Sequence, residues 1–130
     1  MMKWDEQAER LRRKAAGDER AVGALLGASS IPDEVIGFHA QQAAEKLLKA
    51  LLSHRRVAFR RTHDLTELLD LLAADGVEIP AEIAEVRRLG PYAVEFRYED
   101  IPDEGTEPLD RRWAAECVER TRKWIDSMLS

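Results

Sequence analysis

Eleven residues, Ser53 to His63, read SHRRVAFRRTH and hold four arginines and two histidines. Arg55, Arg56, Arg60 and Arg61 are cations spaced to suit the phosphates of a nucleotide or nucleic acid, and Phe59 among them offers a ring on which a base can stack. The alternative is a solvated loop whose cations complete the carbonyl end of the preceding helix, where positive charge is favourable. Another cation, Arg97, lies between Phe96 and Tyr98. Its forked donors match a phosphate or a carboxylate. The stretch that follows, RYEDIPDEGTEP, carries five carboxylates (Glu99, Asp100, Asp103, Glu104 and Glu107) and no histidine. These show no regular spacing for a divalent ion and read as solvent-exposed. His39, His54 and His63 lack zinc spacing and have no cysteine pair to join. Cys117 falls on an apolar helix stripe and reads as a small core residue rather than a nucleophile. No glycine-rich phosphate loop and no Gly-x-Ser-x-Gly occurs. No metal and no cofactor are expected.

The scaffold that must position these groups is helical. Charged residues make up 35% of the 130, aromatics 6%, and alanine, leucine, glutamate and arginine dominate. Straight-chain residues lose little rotamer freedom in a helix, so this balance favours helices over sheet. The length suits a single domain over residues 1–130. A net charge of -5 argues against general coating of nucleic acid but allows a local basic patch. The lone cysteine leaves no internal disulfide and fits a reducing compartment. The opening stretch MMKWDEQAERLRRKAAGDER has no apolar core for a signal peptide, and no run of apolar residues is long enough for a membrane span. A cytoplasmic protein with no membrane attachment is expected.

Apolar positions at Trp4, Ala8, Leu11, Ala15, Val22, Leu25 and Leu26 make one stripe on a first helix. Gly17 and Asp18 interrupt it and read as a kink, or as a cap on a restarted helix. The sharper alternative is a carboxylate held in the core against a partner. Ser30 then serves as an N-cap, with Pro32 near the first turn of a second helix. Ile36, Ala40, Ala43, Ala44, Leu47, Leu48, Ala50 and Leu51 form its buried arc. Opposite lie Gln42, Glu45, Lys46 and Lys49, a line that Phe38 and Val35 extend. Amphipathic arithmetic makes this line the solvent side. A third helix starts near Thr62 or His63, with Asp64 near its positive end, and stops at Gly76. A short helix over Ile83, Val86 and Leu89 ends at Gly90–Pro91, and Pro91 opens another, PYAVEFRY. A long terminal helix begins around Asp110, with Trp113, Ala114, Cys117, Thr121, Trp124 and Met128 inside. The expectation is all-α: an up-and-down bundle of four to five antiparallel helices.

FHAQQAAEKLLKALL, THDLTELL and PYAVEFRY, in this order and at these distances, resemble the HEPN family of small helical-bundle proteins. The resemblance covers roughly residues 4–129. It implies a bundle that forms homodimers, a link to nucleotide or RNA binding, and pairing with a minimal nucleotidyltransferase in toxin–antitoxin-like couples. Carried over by position, it marks Gln42, Glu45, Lys46 and Lys49 on the second helix. It also marks His63, Asp64 and Leu65 at the third, and Tyr92, Arg97 and Tyr98 at the fourth. The polar line thereby gains a second meaning, as a face turned to a partner or ligand. Ribonuclease members of the family place a histidine a few residues after an arginine late in the bundle. Arg97 stands where that arginine belongs, and the histidine is absent. Arg56 and His63 satisfy the literal spacing, but in the wrong connection.

Cleavage of RNA without metal needs a base for the 2′-hydroxyl and a cation for the phosphate, and Arg97 supplies only the second. The first expectation is therefore a non-catalytic binding module, dimeric, acting with a nucleotidyltransferase partner or on nucleotide or RNA. A metal-independent ribonuclease toxin and a purely structural bundle are the alternatives.

Overall fold

A computed structural model describes residues 3–93 and 108–129. The chain runs through α1 (Lys3–Leu25), α2 (Asp33–His54), α3 (Leu65–Ala74), a single turn α4 (Ala81–Ala84), a 3-10 helix (Glu85–Tyr92) and α5 (Arg111–Leu129). Among the described residues there is no strand. The architecture is the expected all-α bundle, and α2 is its axis. It packs against α1, α5, α3 and the 3-10 helix, and not one of its residues is fully exposed. Small side chains make this possible: Ala40, Ala43, Ala44 and Ala50 are completely buried and let neighbouring helices approach closely. Leu48, Leu51, Leu52, Leu68, Leu69, Leu72, Leu89 and Ile125 fill the rest of the core.

The central place of α2 overturns one expectation. Its line of Gln42, Glu45, Lys46 and Lys49 is not a solvated remainder, because α1 on one side and the 57–64 connection on the other cover it. Amphipathic arithmetic assumes one buried face, and a helix with neighbours on several sides leaves even its polar line only half open to water.

Other boundaries also differ. Gly17 and Asp18 do not interrupt or restart α1, which continues to Leu25; packing along α2 offsets the roughly 1 kcal/mol that an interior glycine costs. Ser30 does not cap α2. Pro32 holds the N-cap position with no side-chain bond, and Asp33 opens the first turn. The Asp33 carboxylate instead accepts from the Leu109 amide (3.1 Å) and the Arg111 guanidinium (2.7 Å), which also reaches the carbonyls of Ala28 and Ile31. This staple ties the start of α5 to the α1–α2 turn. Nor does Gly90–Pro91 end a helix: the 3-10 helix passes through both to Tyr92. The Pro91 ring removes one donor only, and the next turn closes through the Ala93 amide on the Gly90 carbonyl (3.1 Å). The remainder of PYAVEFRY, from residue 94, lies outside the described residues.

Tyr92 is seated where only glycine fits beneath it. A Cβ on Gly37 would stand 2.4 Å from the ring. The connections after α2 and α3 leave their helices by the same device. At the end of α3, Gly76 (φ 88°) lets the Val77 amide return to the Leu72 carbonyl. At the end of α2, Arg56 (φ 61°) does the same for Val57 and Leu52, without glycine's freedom.

Candidate functional site

Glu45 is the hub of the covered polar line. Its side chain is 5% exposed and holds three donors: Lys49 Nζ at 3.0 Å, His63 Nδ1 at 2.8 Å and Gln41 Nε2 at 3.1 Å. Burial alone raises a carboxyl pKa. Here the hydrogen bonds from Lys49, His63 and Gln41 outweigh it, and Glu45 lies below its ordinary value. Gln41 also donates to the His63 carbonyl oxygen (3.1 Å) and accepts from Gln42 (2.7 Å). The chain Gln42–Gln41–Glu45–Lys49, closed by His63, therefore fastens the 57–64 connection to α2. Facing a charged carboxylate, His63 must carry its proton on Nδ1.

A second cluster covers the α1 side. Asp18, 13% exposed, bridges Lys46 Nζ (2.5 Å) and His39 Nδ1 (3.0 Å). The structure gives Asp18 the partners of the sharper alternative, but at a part-buried position rather than in the core. Lys46 thus belongs to a different cluster from Glu45 and Lys49.

Asp64 caps α3, accepting from the amides of Thr66 (2.9 Å) and Glu67 (3.2 Å). The helix starts at Leu65, slightly later than the sequence pattern indicates. In the basic connection, Arg55 binds Asp75 (2.6 Å), Arg60 grips Glu67 through two nitrogens, and Arg56 reaches Asp5 (3.5 Å). Arg61 is exposed, with no ion pair among the described residues. Arg56 and His63 are held by different partners, on Asp5 and on Glu45. Arg97 and Tyr98 lie outside the described residues.

Phe59 turns inward. Lys49 Nζ stands 5.7 Å above its ring, and the ring forms one wall of an open cavity of about 350 Å³ with Lys3, Trp4, Gln7 and Ala58. The Ser53 hydroxyl anchors α1 here through the Trp4 carbonyl (2.8 Å) and Gln7 Oε1 (3.0 Å). Two aromatic side chains, an amide and a lysine thus frame a slot beside the arginines.

Sequence reasoning missed Trp4, Gln7 and Gln41 as site residues. For Gln41 a signal exists: it shares the ridge Gln41–Glu45–Leu48–Leu52 with two core leucines. For Trp4 and Gln7 there is none, because the cavity forms only when α1 docks beside Phe59. Burial pushes the Cys117 thiol up to about 11, so it is an inert core group. Among the described residues no cluster of His, Cys, Asp or Glu is arranged to hold a metal ion, and no helix is long and apolar enough to cross a membrane.

The model of the HEPN domain matches residues 4–129. Comparison with curated proteins gives no match. Among solved structures the chain is similar to ST0689, an archaeal HEPN homologue, at 26% identity and a TM-score of 0.58, covering 98% of this chain and 95% of that one. A family match over nearly the whole length agrees with the helical architecture, and the chain belongs to the HEPN family.

Proposed function

We propose that this chain, as a single HEPN-type domain, is a non-catalytic nucleotide- or nucleic-acid-binding module. In this reading it forms a homodimer and acts with a minimal nucleotidyltransferase in a toxin–antitoxin-like pair. One observation carries the binding reading: the Trp4–Phe59 slot opens beside the arginine-rich connection. A planar base suits the aromatic walls, and its phosphates would meet Lys3 and the arginines. The existing ion pairs are little obstacle. Arg55, Arg56 and Arg60 are solvent-accessible, and pairs of that kind contribute at most about 1 kcal/mol, so a polyanion displaces their carboxylates cheaply. Titration of 5′-AMP and of short single-stranded RNA, followed by tryptophan fluorescence, tests the reading. Phe59→Ala should weaken both ligands. Serine at Arg55, Arg56, Arg60 and Arg61 together should flatten the salt dependence, whose wild-type log–log slope is about -3 for four phosphate contacts to a single strand. Equal affinities for wild type and variants would sink the reading and leave a structural bundle.

The ribonuclease alternative is favoured by a specific arrangement, the buried Glu45 carboxylate orienting an exposed imidazole. That is how a general base is held ready. RNA cleavage by the wild type that disappears in His63→Gln would select it.

A further inference from the structure

A cleft distinct from the aromatic slot opens between the residues that start α3 and the 3-10 helix, with a volume of about 320 Å³. Its lining includes three side chains of different chemistry, Arg87, His63 and Asp64. Arg87 is exposed and has no ion pair among the described residues. His63 exposes 60% of its side chain, yet its ring is fixed at Nδ1 by Glu45 and its carbonyl by Gln41, which leaves Nε2 for the cleft. Asp64 uses Oδ1 on the Thr66 and Glu67 amides, and its Oδ2 has no hydrogen bond among the described residues. The Thr66 and Glu67 amides are already taken by the Asp64 cap, so the helix end itself is not the attraction.

This set is selective. A fully ionised oxyanion gains from Arg87 and His63 but meets repulsion at Asp64. An oxyanion that keeps one proton turns the same carboxylate into an acceptor for it. We propose that the cleft binds a hydrogen phosphate group: Arg87 donates to two of its oxygens, His63 takes a second proton from solvent as the anion enters and donates Nε2–H to a third with its charge balanced by Glu45, and Asp64 Oδ2 accepts the P–OH. Inorganic phosphate carries that proton at neutral pH, and a phosphate monoester carries it below a pH of about 6. Sulfate carries none under either condition, and neither does the internal diester of a nucleic acid.

The test is a titration of the full chain with sodium phosphate and with sodium sulfate at matched ionic strength, read by calorimetry and by the His63 ring resonances. Phosphate should bind at least about tenfold more tightly than sulfate, the size of one charged hydrogen bond. Arg87→Ser, at an exposed position, should lose at least about tenfold in phosphate affinity. Asp64→Asn keeps the helix cap, since asparagine caps as well as aspartate, and should erase the preference over sulfate. Glycerol 3-phosphate, a monoester without a base, titrated at pH 5.5 beside inorganic phosphate, identifies which source of the group fits better. Sulfate binding as tightly as phosphate, no binding of phosphate, or unchanged affinity in Arg87→Ser would each overturn the proposal. Phe59→Ala leaves this cleft intact, so failure of the aromatic slot and failure of the phosphate site are read separately.

Discussion

Asp18 and Glu45 each hold one lysine and one histidine, and both clusters rest on α2, but water reaches them differently. Around Asp18 the three side chains are 13%, 22% and 31% exposed, and the carboxylate is supplied by α1. Around Glu45 the carboxylate and Lys49 are 5% and 12% exposed, and a third donor, Gln41, is fully buried. The same residue types therefore do different work. Near Asp18 each group can fall back on solvent when a partner is lost. Near Glu45 the carboxylate has no such alternative, and its partners are oriented by it rather than merely attracted.

The largest expected effect is on Glu45. Glu45→Ala leaves Lys49 without its acceptor and Gln41 with only the His63 carbonyl, and should cost about 3 kcal/mol or more in thermal or denaturant unfolding. A loss under 1 kcal/mol would break the contrast, because Glu45 would then be no better held than a surface carboxylate. The same residue sets an acid dependence. Its folded-state pKa is depressed, so its stabilisation is complete above the unfolded value and disappears as pH falls through the folded one. Glu45→Gln should flatten the stability profile in that acid window, as measured by urea unfolding at several pH values. Asp18→Ala should cost less, about 1–2 kcal/mol, since Lys46 can turn to water. A cost equal to that of Glu45→Ala would show that exposure does not separate the two clusters. The smallest effect belongs to His39→Ala, about 0.5 kcal/mol, because Asp18 keeps Lys46. An unfolding midpoint that drops as far as in Asp18→Ala would make the histidine, not the lysine, the main partner.

The apolar half of the design is legible in the residues alone. Ile36, Ala40, Leu47, Leu48 and Leu51 are all in the core because their spacing leaves a helix no other way to hide them. Gly76 ends α3 for an equally local reason, its left-handed φ. The family signature is legible too, since it consists of short helical strings read in order. Polar positions are less informative, because a glutamate at a given turn looks the same whether water or a lysine faces it. Asp18 shows this well: beside Gly17 it has every local mark of a break, and only the approach of Lys46 and His39 makes it a part-buried ion pair.

What the sequence determined by itself is the helical class and the buried face of the central helix, which follow from periodicity and local propensity, and the resemblance to the HEPN family, which rests on three short strings read in order. Only the tertiary structure decided that α2 is the axis with no fully exposed residue, that Glu45 orients His63, and that Trp4 meets Phe59 across a slot. Those pairings join residues from 18 to 55 positions apart. The physical reason is that a charge takes its meaning from the partners and the water around it, and both are fixed by how the helices dock rather than by any one of them.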